Sequence, residues 1–146
     1  MDPLSFTASV IAVATLAWQS TKAAYDIVDG LVGAPSIIAD SQRLLSQTQN
    51  TLDTLRETLG TDPGTPNVLE SVLQKIKLNS TLESVQSLCS EFSETLRGCT
   101  KHSTDSKFGK RDRLIVSLHE SKIARFNKQL GECQGTISLV VGSINL

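Results

Sequence analysis

The chain has 146 residues, 14 Lys+Arg against 15 Asp+Glu, and a formal net charge of −1. That length suits one domain over 1–146 and buries about 70% of its unfolded surface, so a core forms without staples. Balanced charge argues against a dedicated nucleic-acid binder, and 39% hydrophobic content argues against disorder. Three cysteines, Cys89, Cys99 and Cys133, are odd in number and too few for a secreted disulfide scaffold. A reduced, intracellular protein is expected. Charge is unevenly divided: residues 1–73 carry 3 basic and 8 acidic side chains, and residues 74–146 carry 11 and 7.

Residues 3–21 are free of charge, and Asp2 is the only early charge before Lys22. A secretory signal needs a positive start and a transit peptide needs arginines, so neither is expected. As a helix the stretch spans ~28 Å, near the ~30 Å of a hydrocarbon core, but its Ser, Thr, Gln and Ala content is high for a constitutive anchor. Asp2-Pro3 reads as N-cap and first helical position. Leu4, Phe6, Val10, Ile11, Val13, Leu16 and Trp18 then occupy every face, the pattern of a helix buried all round or set in a membrane.

Gly30 and Gly33 stop this helix, and Pro35 opens a second with Leu45, Thr48, Leu52, Leu55 and Leu59 on one stripe, closed by Gly60. Thr65-Pro66 starts a short third helix carrying Leu69, Val72, Leu73 and Ile76. Ser80-x-x-Glu83 reads as a capping box, so a fresh helix is expected there with Leu82, Val85, Cys89, Phe92, Leu96 and Cys99 in line. Residues 100–109 break the pattern. The longest register follows, Val116, His119, Ile123, Phe126, Leu130, Cys133, Ile137, Val140 and Ile144, predicting the longest helix near 112–144. A strand over 136–146 is the alternative for its β-branched end. The expected fold is all-α: an up-and-down bundle of four to five helices with a buried hydrophobic N-terminal helix.

Catalytic motifs are missing: no Gly-rich phosphate loop, no G-x-S-x-G and no H-E-x-x-H. Cys99-x-x-His102 has a metal-sharing spacing, but structural zinc wants four ligands, so no cofactor or metal is expected. His119 on its seam reads as a hydrogen-bonded core histidine. Lys107, Lys110, Arg111 and Arg113 oppose a helix N-terminal dipole, which leaves a solvated loop or an anionic-lipid patch as their role. Gly131, Gly135 and Gly142, with Ser138, form a small-residue stripe. It is expected to receive the alanine-rich N-terminal helix, with self-association as the alternative.

The opening, Met1-Asp2-Pro3-Leu4-Ser5 and Thr7-Ala8-Ser9-Val10-Ile11-Ala12-Val13, with Tyr25 and the Gly30–Pro35 turn, resembles the start of fungal HeLo-like domains. These are the N-terminal helical modules of fungal NOD-like (STAND) receptors and associated cell-death proteins. The resemblance implies a helical bundle that oligomerises under a receptor or amyloid signalling motif and then permeabilises membrane through its N-terminal helix. It implies a cytoplasmic resting state, movement to the plasma membrane on activation, and anionic lipids and further copies of itself as partners. The 146 residues contain neither a nucleotide-binding domain nor an amyloid motif, so the N-terminal part of a longer protein is expected. The expected function is therefore a non-enzymatic cell-death effector domain. The alternative is a soluble oligomerisation or adaptor domain in which the same helix is simply core.

Overall fold

The computed structural model describes residues 3–30, 35–61, 68–100, 116–117 and 119–144, with side chains from 8–30, 35–60, 77–98, 116–117 and 119–143. The described residues include four long helices: α1 (Pro3–Asp29), α2 (Ser36–Thr61), α3 (Val68–Thr100) and α4 (Glu120–Ile144). The fold is an all-α bundle, as the periodicity implies, and residues 136–144 are helix rather than strand.

Each helix forms where its caps and stripe place it. Proline fixes φ at the first position of α1, and Pro35 presents its carbonyl to the Ala39 N–H at 3.3 Å to start α2. The 3,4 spacing then puts one row of each helix inside. Leu45, Thr48, Leu52, Leu55 and Leu59 are all buried on α2, and Leu82, Val85, Cys89, Phe92 and Leu96 on α3. Val116, Ile123, Phe126, Leu130, Ile137 and Val140 close the core from the fourth side. Phe92 and Phe126 stack between α3 and α4, ring centroids 4.1 Å apart and 8° from parallel.

Two corrections concern helix boundaries. The Ser80-x-x-Glu83 box starts nothing: α3 runs unbroken through it. Residues 77–80 hold no Gly or Pro, and Leu78 continues the buried row into Leu82, so packing carries the helix across. The local hydroxyls bond backwards instead, Thr81 Oγ1 to the Lys77 carbonyl and Ser84 Oγ to the Ser80 carbonyl, each at 3.0 Å. Secondly, α3 with 33 residues is the longest described helix, and α4 has 25. His119 lies on neither seam nor core. It is exposed, and its carbonyl accepts from the Ile123 N–H at 3.0 Å, the bond that begins α4. The regular spacing through 116, 119 and 123 therefore crosses a helix start.

Neighbour relations set the topology. α1 packs on α2 and α3, and α4 packs on the same two; α1 and α4 do not touch among the described residues, nor do α2 and α3. Gln42 bonds Asp29 while Arg56 lies over Trp18, so α1 and α2 are antiparallel. Ser41 meets Asn127 and Thr51 meets Gln134, so α2 and α4 are parallel. Glu91 pairs with Lys122 while Glu83 shares a cleft with Glu132, so α3 and α4 are antiparallel. Chain direction alternates up and down as expected, yet the step from α2 to α3 crosses the diagonal of the square.

A urea-unfolding series tests these assignments. Leu52→Ala should cost about 2–5 kcal/mol, as for a fully buried leucine. Ser80→Ala should stay within about 0.5 kcal/mol, the ordinary range for a surface change. A loss near 1 kcal/mol at Ser80 would show that it caps a helix after all.

Candidate functional site

α1 differs from the other helices in what it buries. Its inner row is Val10, Ala14, Ala17, Thr21, Ala24 and Val28, small where α2 is leucine-rich. Small side chains let a helix approach its neighbours closely, and each Ala in place of Leu forgoes roughly 2 kcal/mol of burial at ~0.8 kcal/mol per methylene. Thr21 is a polar exception inside: its hydroxyl donates to the Ala17 carbonyl at 2.7 Å and lies 3.7 Å from Cys89 Sγ. Trp18 is half-buried, with the Arg56 guanidinium 5.8 Å from its ring centre and its indole N–H without an acceptor among the described residues.

The residues expected to enter a membrane therefore divide. Val10 is buried, and Ile11, Val13 and Trp18 pack half-buried against the core. Leu16 is 48% exposed, which corrects the expectation that it faces protein at rest. Ala8, Ser9, Ala12, Gln19 and Ala23 are exposed beside it. α1 is thus buried along one face only, the face it turns towards α2 and α3. The side chains of Leu4 and Phe6 lie outside the described residues. So do Lys107, Lys110, Arg111 and Arg113, as well as His102 and the Cys99 side chain. No described helix is long and apolar enough to cross a membrane.

The glycines of α4 do not receive α1, which is a further correction. A Cβ at Gly131 would meet Leu44 Cδ2 of α2 at 3.8 Å, and one at Gly135 or Gly142 would meet nothing within 4 Å. These two glycines open to solvent beside Leu139, which is 71% exposed.

Sequence periodicity gave no notice of one polar contact. Ser41 is buried, and its hydroxyl lies 2.6 Å from Asn127 Oδ1, while Asn127 Nδ2 donates to the Ile37 carbonyl at 3.2 Å. Asn127 follows the seam residue Phe126 by one position, so a polar residue flanking a seam is the signal that points to it. Between α3 and α4 a cleft of about 120 Å³ is lined by Leu88, Phe92 and Phe126, with Glu91, Lys122 and Arg125 at its rim. Its Glu91–Lys122 pair is 3.8 Å apart and largely solvated, worth little to stability. Among the described residues no three His, Cys, Asp or Glu side chains are placed to hold a metal ion.

The features that stand out are thus helix faces, the uncharged outer face of α1 and the glycine-bearing outer face of α4, in a helical-bundle module. The model of the family described as "Pigment biosynthesis cluster protein PigL N-terminal" matches residues 1–146. The chain belongs to that family. No curated protein and no solved structure matches it.

Cys89 supplies a pH test of the core. Burial pushes its thiol up to about 11 from an ordinary 9.0, with Cys133 adding to the rise and the Thr21 hydrogen bond opposing it. A raised acid pKa means the folded state holds the proton more tightly, so this stabilisation is complete below pH 9.0 and fades towards pH 11. Across that window the parent should lose more stability in urea than Cys89→Ala does. Equal losses would mean the folded thiol ionises as readily as the unfolded one, as a solvated thiol would.

Proposed function

We propose that this domain is a non-enzymatic signalling module that acts by self-association, with α1 as its working helix. The observation that carries the reading is the outer face of α1: charge-free from Ala8 to Gln19, half-exposing Leu16, and covered by no described element. A solvent-facing helix surface ordinarily carries charge, and an uncharged one is an interaction surface in waiting. The HeLo-like resemblance supports the same reading, since such modules work by oligomerisation under a receptor or amyloid motif.

The cell-death reading, in which α1 leaves the bundle and permeabilises anionic membrane at the cell periphery, is the second. Two observations favour it: the alanine-lined inner row, which holds α1 with less buried area than leucines would, and the unpaired Trp18 indole N–H. Because no described helix is long and apolar enough to cross a bilayer, permeabilisation by this route needs several copies of α1 acting together. The adaptor reading needs α1 to stay in place.

Light scattering of the purified chain against concentration tests self-association, which should rise with concentration. Dye release from anionic vesicles separates the two readings. If α1 enters lipid, the parent should release dye and Leu16→Asp, folded by circular dichroism, should release far less, because a charge at mid-helix costs ~2.5–3.5 kcal/mol on insertion. Equal release by parent and variant removes the inserting-helix mechanism. No release from either leaves the adaptor.

A further inference from the structure

α1 and α4 carry one outward row each, and the two rows are complements. On α4 the row is Arg125, Lys128, Glu132, Gly135, Leu139 and Gly142, with steps of 3, 4, 3, 4 and 3 residues. On α1, read from its C-terminal end, the row is Asp29, Asp26, Lys22, Gln19, Thr15 and Ala12, with the same steps. Eleven of the twelve positions are exposed and Thr15 is half-exposed. Laid antiparallel, the rows set Asp29 against Arg125, Asp26 against Lys128 and Lys22 against Glu132. Gln19, Thr15 and Ala12 then meet Gly135, Leu139 and Gly142. Each charge meets its opposite, and the exposed Leu139 meets Thr15, with the uncharged Gln19 and Ala12 on either side.

We propose that the occupant of each row is a second copy of this chain, α4 of one molecule docking antiparallel along α1 of the next. This rests on the self-association reading and names its surface. A steady 3,4 step is the spacing at which two helices pack along their length at a shallow angle. The level of the rows also fits. Within one molecule, the Asp29–Gln42 and Ser41–Asn127 contacts set Asp29 at the axial level of Lys128, and the Trp18–Arg56 contact with Thr51–Gln134 sets Trp18 at the level of Leu139, across the bundle. The intermolecular pairing differs from that by three residues, ~4.5 Å along the axis. Neighbours therefore stand side by side in one orientation with almost no slide.

Because the two rows occupy opposite corners, the contact is heterologous and each molecule keeps one free row at either end. The product is a ring or a growing stack rather than a closed pair. A symmetric α4–α4 contact fits worse. Set parallel, it places Lys128 on Lys128 and Glu132 on Glu132; set antiparallel about Leu139, it draws neither Arg125 nor Lys128 into the contact between the described helices.

Light scattering and sedimentation of single and mixed variants decide it. Leu139→Glu disables the α4 row and Ala12→Glu the α1 row, both at exposed positions where circular dichroism should stay unchanged. Each alone should associate at least ~10-fold more weakly than the parent, a loss of ~1.4 kcal/mol. Mixed one to one, they should form pairs and nothing larger, since each retains the row the other lacks. Arg125→Glu with Lys128→Glu should likewise weaken association, and adding Asp26→Lys with Asp29→Lys in the same chain should restore it. If the parent assembles but both single variants assemble equally well, the docking surface is wrong and self-association survives. If Ala12→Glu still dimerises while Leu139→Glu does not, the contact is a symmetric α4 pair and the proposal is overturned. A mixture that stays monomeric beside an assembling parent overturns it as well. A parent that remains monomeric at every concentration overturns both this and the self-association reading.

Discussion

Since α1 and α4 sit on opposite corners and touch only α2 and α3, each keeps an outward face that no described element covers. In chain order α2 and α3 occupy opposite corners instead of neighbouring ones. Had the helices been laid round the square in chain order, α4 would have closed against α1. The observed order instead puts the outward rows of α1 and α4 on opposite sides of the bundle. What the module can bind follows from this constraint.

The core is divided between two kinds of contact. Leucine and isoleucine rows on α2, α3 and α4, with the stacked Phe92 and Phe126, supply the bulk of apolar burial. Polar threads then fix how the helices sit. Thr21 reaches Cys89 from α1 to α3, and Asn127 on α4 joins both Ser41 and the Ile37 carbonyl on α2. Leucine rows tolerate a one-turn slide at modest cost. Thr21 and Ser41 also bond carbonyls of their own helices, so in a slide it is the Asn127 amide contacts that are lost, and these set the level of α4 against α2. The match in level between the outward rows of α1 and α4 depends on them.

Charge is arranged differently from the apolar core. In the half of the bundle holding the N-terminal part of α1 and the C-terminal part of α4, the outward rows of these two helices are uncharged. The other half presents Asp26 and Asp29 on one corner and Arg125 and Lys128 on the opposite corner. Isolated solvated pairs such as Lys22–Asp26 contribute little to folding. Their value lies in recognition, where sign and register decide which surface a partner accepts.

By itself the sequence determined the helical class and most of the interior. The 3,4 spacing alone identified the buried rows of α2, α3 and α4, including Thr48, because hydrophobic period is a local property of the chain. It also marked α1 as the uncharged helix. The tertiary structure decided everything that depends on which helix lies beside which. Ser80 and Glu83 have the residue types of a cap, but neighbouring rows carry α3 through them; His119 keeps the seam spacing, yet it stands before the first turn of α4. Leu16 and Leu139 are apolar residues on the outward faces of their helices, and Gly135 and Gly142 face open space beside Leu139. Periodicity says which residues share a helix face. It does not say which faces meet, because that is settled by the connections and by the long-range packing they permit.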